Sequence, residues 1–291
     1  MKSKVSLVKA ENRYKCIFDS LKLIEAEVKN SLRHKKIIIK PNFVSTRNQL
    51  AATHVEHVKA ILDFLKEFYD KEIIIAEGAA LGNTFDGFRN FNYLELKKEY
   101  KVEFLDLNED DYELVDIVNS KMQKISIKVA KTMLDKNNYI ISAAKLKTHD
   151  TVIVTLSLKN VIVGSILNGD KSKIHQGYKA INYNLFLLAK LLKPNLASID
   201  GFVGMQGNGP VNGEPIEVKV GIASTDFLAA ERIACEIMGF DFDNIGYLSY
   251  CAKAKMGNWE LDKIEVVGEE IENCRKKFKP HSSYSQQLKW K

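Results

Sequence analysis

Two short β-branched segments, each followed by polar or small residues, constrain the fold of this chain most strongly. KIIIK at residues 36–40 and EIIIA at residues 72–76 are too short for core helices and have the composition of buried strands. Residues 53–69, which lie between them, have apolar side chains at helical spacing. Because a parallel strand pair needs a crossover connection, usually a helix, this succession predicts a parallel sheet.

The same alternation continues along most of the chain. Further strands are expected at residues 5–8, 102–107, 124–128, 138–144, 196–199, 217–223 and 263–267, and further helices at residues 14–32, 88–98, 181–192, 226–238 and 243–255. We therefore predict an α/β fold with a mostly parallel or mixed sheet and helices on both faces. The domain should span residues 1–275. Two packed lobes would meet near residues 145–165, and residues 276–291 are expected to form a polar surface tail.

Capping residues mark the boundaries of two of these helices. Thr53 followed by Glu56 predicts a capping box at the start of one helix. Asp226 and Gly239 have the residue types of an N-cap and a C-cap at the two ends of another.

Charge and hydropathy argue against membrane and nucleic-acid partners. No apolar stretch approaches the ~18–20 residues of a membrane helix, and residues 1–9 alternate charged and apolar side chains instead of forming a signal-peptide core. The formal charge of +6 comes from lysines scattered along amphipathic segments, without a clustered basic stripe. We expect a cytoplasmic protein that binds neither membranes nor nucleic acid.

The cysteines are too dispersed for the common metal motifs. Cys16, Cys235, Cys251 and Cys274 form no C-x-x-C pair, so a zinc knuckle or a ferredoxin-type cluster is not indicated. They are expected to be reduced structural thiols.

Polar residues recur where the predicted strands end. Ligands of open α/β sheets bind at the carboxyl ends of the strands, where loops converge. The residues at these positions are Lys40, Asn42, Glu77, Lys145, Lys147, Thr148, His149, Asp200 and Asp226. A single strand-terminal lysine usually extends to solvent, but several lysines in one pocket would suit a carboxylate or a phosphate.

Lys159 and Asn160 lie inside an apolar run, residues 151–163, that fits either a strand or a buried helix; we favour a helix after Thr155. A buried lysine must pair with an anion or lower its pKa, which would make Lys159 a candidate base or nucleophile. The alternative is that Lys159 occupies the exposed face of an amphipathic helix.

His149 and His175 are flanked by polar residues or glycine, unlike typical core histidines. With Glu77, Asp200 and Asp226 they are candidate metal ligands only as scattered single residues, so the metal and cofactor content is left undetermined.

Residues 204–213, GMQGNGPVNG, are dense in glycine but lack the Lys-Ser/Thr ending of a phosphate-binding loop. They predict an irregular loop, either a flexible lid over a ligand or a plain surface hairpin.

Five segments, in this order, resemble the family called domain of unknown function 362. They are KPNFV (40–44), AEG (76–78), AAKLKTHDTVIVTLSLKNVIVG (143–164), KPNLASIDGFVGMQGNGPVNG (193–213) and STDFLAAERIACEIMG (224–239). Many members of this family carry ferredoxin-type cysteines and are labelled iron–sulfur proteins, whereas this chain lacks those cysteines. The resemblance implies a site made of Lys40, Asn42, Glu77, Lys145, Lys147, Thr148, His149, Lys159, Asn160, His175, Asp200 and Asp226.

A more distant similarity links the N-terminal half to the nickel-pincer lactate racemase family. Ser45, Thr46 and Arg47 occupy the place of that family's Thr-Arg turn. The histidine motif after its next strand is replaced here by Glu77 and Gly78, so a nickel cofactor is not implied.

Two functional hypotheses follow. The first is an enzyme for a small carboxylate or phosphate, in which lysines hold the anion, with Lys147 among the catalytic residues, and His149 or Lys159 moves a proton. The alternative is a non-catalytic accessory protein that holds a metal, cofactor or cluster for a redox partner.

Overall fold

The computed structural model describes residues 2–33 and 35–291. Its strands are β1 (Ser3–Lys9), β2 (Lys36–Lys40), β3 (Ile73–Glu77), β4 (Val102–Asp106), β5 (Tyr112–Val118), β6 (Lys124–Ala130), β7 (Asn138–His149), β8 (Ile153–Thr155), β9 (Leu196–Gln206), β10 (Glu214–Ser224) and β11 (Ile264–Gly268). Its α-helices are α1 (Arg13–Lys22), α2 (Glu25–Leu32), α3 (Val55–Lys66), α4 (Thr84–Asn90), α5 (Lys131–Leu134), α6 (Ser157–Ser165), α7 (Tyr178–Leu192), α8 (Phe227–Met238), α9 (Gly246–Lys253), α10 (Ile271–Cys274) and α11 (Tyr284–Gln287). Short 3₁₀ segments cover Gln49–Ala51, Tyr93–Lys98, Lys171–Ile174, Phe242–Asn244, Leu261–Lys263 and Leu288–Trp290.

The main sheet has the strand order β11-β1-β10-β9-β7-β2-β3-β4, with β8 paired to the end of β7. The β1–β11, β9–β7, β7–β2, β2–β3 and β3–β4 pairs are parallel, whereas β1–β10 and β10–β9 are antiparallel. β5 and β6 form a separate antiparallel hairpin. The predicted α/β fold with a mostly parallel sheet is confirmed.

Two apolar cores lie on the two faces of the sheet. One contains side chains of α6, α7, α8 and α9, and the other those of α1, α2, α3 and α4. β7 separates the two cores and is buried along all of its 12 residues. Because strand side chains alternate in direction, Ala144 and Leu146 pack into the first core, while Ile141 and Ala143 pack into the second.

Several local predictions are corrected by the structure. The helix expected over residues 14–32 is two helices, because the fully buried Ile24 adopts φ −120° between them. His54, not Thr53, is the N-cap of α3: its side chain accepts a hydrogen bond from Glu56 N. The Thr53 hydroxyl is already engaged with Asn42 N and Ala143 O.

The chain near residues 88–98 also differs from the prediction. α4 begins earlier, at Thr84, with Asn83 as its N-cap, and it ends before Asn92, which has a left-handed conformation at φ 61°. A 3₁₀ segment, Tyr93–Lys98, follows. The left-handed residue therefore divides what the periodicity presents as one helix.

Three longer segments are more ordered than predicted. β7 continues through the polar residues up to His149, so those residues lie within the strand and not after its end. β9 and β10 pair as far as Gln206 and Glu214, which reduces the expected loop to the turn at residues 207–213. The C-terminal segment packs against the body of the protein through Phe278, Gln287 and Trp290, all buried.

Candidate functional site

A cleft of about 120 Å³ opens at the carboxyl ends of β2 and β3, between the end of β7 and helix α6. Its lining residues are Asn42, Phe43, Val44, Glu77, Gly78, Ala80, His149, Thr155, Lys159, Asn160, Val163, Gly164, Lys171, His175 and Pro210. We call it the strand-end cleft.

A buried ion pair forms the base of the strand-end cleft. Lys40 Nζ lies 2.6 Å from Glu77 Oε2 and also donates to Pro41 O at 2.7 Å. Asn160 stabilises the pair by donating through Nδ2 to Lys40 O and accepting from Lys40 Nζ. Burial lowers the pKa of Lys40 and raises that of Glu77, while their mutual attraction opposes both shifts. A Cβ at Gly164 would lie 2.2 Å from Lys40 Nζ, so only glycine admits this lysine.

Lys159 differs from Lys40 in its partners. It is 5% exposed, in the first turn of α6, and its Nζ makes no hydrogen bond or ion pair with any residue of 2–33 or 35–291. Burial lowers the pKa of Lys159 to about 8, and the nearby charge of Asp150 opposes that shift. Thr155, beside it, has a buried hydroxyl that also has no partner in this part of the chain. The predicted helix after Thr155 is confirmed, but the exposed-face alternative for Lys159 is wrong.

Helix α6 is held in place by a buried carboxylate from the neighbouring helix α8. Glu231 Oε1 accepts a hydrogen bond from Leu158 N at 2.6 Å, and Glu231 Oε2 accepts one from the Tyr247 hydroxyl at 3.2 Å. Burial raises the pKa of Glu231 to about 8. Leu156, at the N-cap position, has no side chain that could cap the helix, so Glu231 fulfils that role.

Lys171 lines the strand-end cleft but was not among the predicted site residues. Its Nζ donates to Asn108 Oδ1 at 3.1 Å and to Ile166 O. Burial lowers its pKa to about 8, and the nearby charge of Glu77 opposes that shift. Lys171 stands in a short polar 3₁₀ segment, where no hydrophobic periodicity distinguishes a buried lysine from an exposed one.

Two histidines complete the polar lining. The rings of His149 and His175 lie 6.4 Å apart, centroid to centroid, and are 18° from parallel. His149 is buried, whereas His175 is exposed. Burial lowers the pKa of the His149 imidazole, partial desolvation by neighbouring groups lowers that of His175, and the charge of Lys159 adds to both shifts.

Two other predicted residues support the cleft wall from behind. Lys147 Nζ donates to Asn42 Oδ1 and to Ala51 O, so it fixes a lining residue without lining the cleft. The Thr148 hydroxyl donates to Gly207 O and thereby anchors the turn that carries Pro210.

Lys145 and Asp200 lie outside the cleft, in what we call the Asp200 cluster: Arg13, His57, Lys145, Ser198 and Asp200. Arg13 Nε donates to Asp200 Oδ2 at 2.8 Å, and Lys145 Nζ lies 4.0 Å from the same oxygen. Burial alone would raise the pKa of Asp200, but the charges of Lys145 and Arg13 hold it below its usual value. His57 Nε2 contacts Ser198 Oγ at 2.8 Å, and burial lowers its pKa to about 4.

Asp226 lies apart from both groups. It is the N-cap of α8, accepting from Leu228 N and Ala229 N, and it also accepts from the Ser3 hydroxyl. The structure thus brings together at the cleft Asn42, Glu77, His149, Lys159, Asn160 and His175, with Lys40 directly beneath them, and places Lys145, Asp200 and Asp226 elsewhere.

Metal-ligating side chains are not grouped in the described residues, where no set of three or more His, Cys, Asp or Glu could share one ion. The four cysteines are buried singly as free thiols. Burial raises the pKa of Cys16 to about 11 and that of Cys251 to about 12, which disfavours the thiolate form that binds metals. These thiols do not fit an iron–sulfur cluster.

The fold and the site together define an α/β protein with a cationic cleft at the strand ends of its sheet. This chain belongs to the family described as domain of unknown function (DUF362), whose model matches residues 37–236. The resemblance indicated by the sequence motifs is confirmed.

A curated relative is the thylakoid-associated protein sll1697 of Synechocystis sp., which is 25% identical over 213 residues. The match covers 71% of this chain and 64% of that protein, so this chain spans less than two thirds of its relative. No helix in residues 2–33 or 35–291 is long and apolar enough to cross a membrane.

Among solved structures, the lactate racemase apoprotein from Thermoanaerobacterium thermosaccharolyticum aligns with a TM-score of 0.51 at 12% identity, over 80% of this chain and 57% of that chain. A protein from Thermotoga maritima aligns with a TM-score of 0.40 at 15% identity, over 75% of this chain and 58% of that one. The first alignment confirms the predicted likeness to the racemase at the level of the fold.

Proposed function

We propose that this protein is an enzyme that binds a small anionic substrate, a carboxylate or a phosphate, in the strand-end cleft. The observation that carries the proposal is Lys159, a buried ammonium group that lines the cleft and forms no ion pair or hydrogen bond in the described chain. Burying a charge without a partner lowers the stability of the folded protein by roughly several kcal/mol. A protein therefore keeps an unpaired buried charge where a ligand supplies the opposite charge.

The charges around the cleft favour an anion over a cation. Glu77 is the carboxylate among the described lining residues, and Lys40 already pairs with it. Lys171 brings a second positive charge to the cleft. Its hydrogen bonds in the described chain go to the side-chain oxygen of Asn108 and the backbone oxygen of Ile166, which are uncharged. A bound carboxylate or phosphate would offset the charges of Lys159 and Lys171.

The size of the cleft restricts the substrate. The cleft is small, about 120 Å³, so it suits a ligand of few non-hydrogen atoms. The turn that carries Pro210 bounds one side, which favours the interpretation of this segment as a cover over the ligand.

Lys159 and His149 are the candidates for proton transfer in the proposed reaction. With a pKa of about 8, Lys159 exchanges its proton near neutral pH, the range in which a general base is most effective. Lys147, which was predicted to take part in catalysis, is assigned a positioning role through Asn42.

A cytoplasmic location stays a prediction, and a relative of this chain is described as thylakoid-associated.

Titration calorimetry with phosphate and with short carboxylates tests the proposal. Lys159→Met should weaken the binding of the anion tenfold or more, since a charge-assisted hydrogen bond contributes ~1.5–3 kcal/mol. Lys173→Met is the matched control, because Lys173 is an exposed lysine two residues from Lys171 and pairs with Asp170. Unchanged affinity in Lys159→Met would contradict the proposal. Turnover is tested by incubating the protein with a cell extract and following by mass spectrometry which small anions the wild type consumes and Lys159→Met does not.

A further inference from the structure

The two turns that border the strand-end cleft are joined by a segment near the C-terminus. The β7–β8 turn, residues 149–153, carries His149, and the turn at residues 207–213 carries Pro210. Residues 279–287, which we call the C-terminal link, form hydrogen bonds to both turns. The position of one wall of the cleft relative to the other therefore depends on a segment that the sequence presents as a polar tail.

The β7–β8 turn is held by one buried amide side chain. Gln287 is 1% exposed, its Nε2 donates to His149 O at 2.9 Å, and its Oε1 accepts from Ile153 N. A single side chain thus contacts both ends of the turn. The Ser283 hydroxyl adds a further contact, because it donates to Asp150 O at 2.7 Å and accepts from Gln287 Nε2.

The backbone conformation of this turn requires such support. Ile153 has φ 69°, in the left-handed region that is unfavourable for a β-branched residue. A strained conformation persists only where the surrounding structure determines it. The Ile153 side chain is buried in an apolar core and its backbone N–H donates to Gln287, so the core and Gln287 together maintain the turn.

The turn at residues 207–213 is held by the same link. Gly207 N donates to Lys279 O at 2.8 Å, and Lys279 N donates to Gln206 Oε1 at 3.0 Å. The Thr148 hydroxyl donates to Gly207 O at 2.8 Å. The two walls of the cleft are therefore joined once through Thr148 and a second time through the C-terminal link.

We propose that Gln287 is a positioning residue of the strand-end cleft, which holds His149 where that histidine meets the bound anion. Gln287 is not among the lining residues, so it acts through the backbone of His149 and not on the ligand. Side chains that contact a ligand need hydrogen bonds behind them to fix their position. This inference rests on the proposed function, because it assumes that the anion binds among the residues that line the cleft.

Gln287→Met tests the proposal, because methionine has a similar length but no amide group. Calorimetry with phosphate and with acetate should show binding about fivefold or more weaker than in the wild type, for the probe that the wild type binds. Gln286→Met is the matched control, since Gln286 is an exposed neighbour in α11. It should bind the probe as the wild type does, and equal weakening in both variants would overturn the proposal.

Amide hydrogen exchange separates the positioning role from a purely structural one. The Ile153 N–H donates to Gln287, so in Gln287→Met it should exchange about tenfold faster relative to amides of α3, which corresponds to one hydrogen bond of ~1.4 kcal/mol. Faster exchange at Ile153 with wild-type affinity for the probe would overturn the proposal, because Gln287 would then stabilise the turn without positioning the site.

Ser283→Ala is a milder second variant that keeps the test open if Gln287→Met does not fold. It removes the hydrogen bond to Asp150 O and one contact of Gln287, and it should weaken binding of the probe about twofold to threefold. Wild-type affinity in Ser283→Ala would then count against the C-terminal link as a support of the cleft.

NMR of the His149 ring distinguishes a failure of this proposal from a failure of the proposed function. The ring signals, assigned through His149→Gln, should shift in Gln287→Met and stay in place in Gln286→Met. If the wild type binds neither phosphate nor acetate although the His149 signals shift as expected, the anion site fails and the positioning of His149 by Gln287 stands. Unshifted signals in Gln287→Met would overturn the positioning role whether or not an anion binds.

Discussion

The buried cationic groups of the Asp200 cluster and of the strand-end cleft are in opposite electrostatic states. In the Asp200 cluster, Arg13 and Lys145 surround a carboxylate and keep it ionised. At the strand-end cleft, Lys159 forms no ion pair in the described chain, although Lys40, also in this region, is paired with Glu77. The same residue type is buried in both places, so the difference lies in the partners.

Whether a buried cation has a carboxylate partner distinguishes charges that stabilise the fold from a charge that is available to bind a ligand. Removing one partner of a buried pair leaves the other uncompensated and is strongly destabilising, whereas removing an unpaired charge relieves a desolvation cost. Substitutions at the two sites should therefore change stability in opposite directions.

The largest effect is expected at the carboxylate of the Asp200 cluster. Asp200→Ala leaves Lys145 without its anion and Arg13 with only the exposed Glu56, and should lower the free energy of unfolding by about 3–5 kcal/mol. Urea denaturation of the wild type and the variant measures this loss of unfolding free energy. Asp86→Asn, which removes an exposed pair with Arg89, is the control and should cost at most about 1 kcal/mol. A similar loss of unfolding free energy in Asp200→Ala and Asp86→Asn would show that the buried carboxylate stabilises the fold no more than an exposed one.

The second effect concerns pH and the buried imidazole of the same cluster. His57 has a pKa of about 4 in the folded protein, against 6.5 when unperturbed, because burial and the charges of Arg13 and Lys145 outweigh the attraction of Asp200. Between these values the unfolded chain binds a proton that the folded protein does not, so stability falls as the pH is lowered from about 6.5 to about 4.

For His57 this loss amounts to about 3 kcal/mol, since one pKa unit corresponds to ~1.36 kcal/mol. In His57→Gln the unfolding free energy should decline less steeply over that range, by about this amount. Denaturant melts at about pH 6.5, 5 and 4 compare the two slopes. Identical slopes would mean that His57 does not titrate in this way.

A pair of matched lysine substitutions compares the Asp200 cluster and the strand-end cleft directly. Lys159→Met should raise the free energy of unfolding by about 1–3 kcal/mol because it removes an unpaired buried charge. Lys145→Met should lower it by a similar amount, because Asp200 then retains only Arg13. Thermal and urea denaturation of both variants show whether each substitution raises or lowers the free energy of unfolding. A loss of stability in both would show that Lys159 has a partner within the protein.

The smallest effect is expected for two buried threonines. Thr155 has an unpartnered hydroxyl at the cleft, so Thr155→Val should leave stability unchanged or raise it by about 1 kcal/mol. The hydroxyl of Thr53 accepts from Asn42 N and donates to Ala143 O, and Thr53→Val should cost about 1–2 kcal/mol. Equal losses from the two substitutions would indicate that the Thr155 hydroxyl is bonded.

Much of the site could be located from the sequence, because strands that end in polar residues converge at one edge of a parallel sheet. Lys40, Asn42, Glu77 and His149 were found in this way, and Lys159 by its apolar surroundings. Lys171 was missed, since a lysine in a short irregular segment gives no periodic indication of burial.

The length of β7 could not be predicted from its apolar run. Pairing with β8 and β9 continues the strand through polar residues to His149, and the alternation of side chains then directs Lys145 into the Asp200 cluster. The C-terminal segment is a similar case: Gln287 is buried through hydrogen bonds to Ile153 N and His149 O, which its polar surroundings in the sequence do not suggest.

The sequence by itself determined the class of fold, the family and the set of polar residues at the strand ends, because hydrophobic periodicity and local motifs are properties of neighbouring residues. Only the tertiary structure decided which buried lysines form ion pairs with carboxylates. Lys40 meets Glu77 across 37 positions, and Arg13 meets Asp200 across 187. Such partners are set by the packing of distant segments, and they determine whether a buried charge stabilises the fold or remains available for binding.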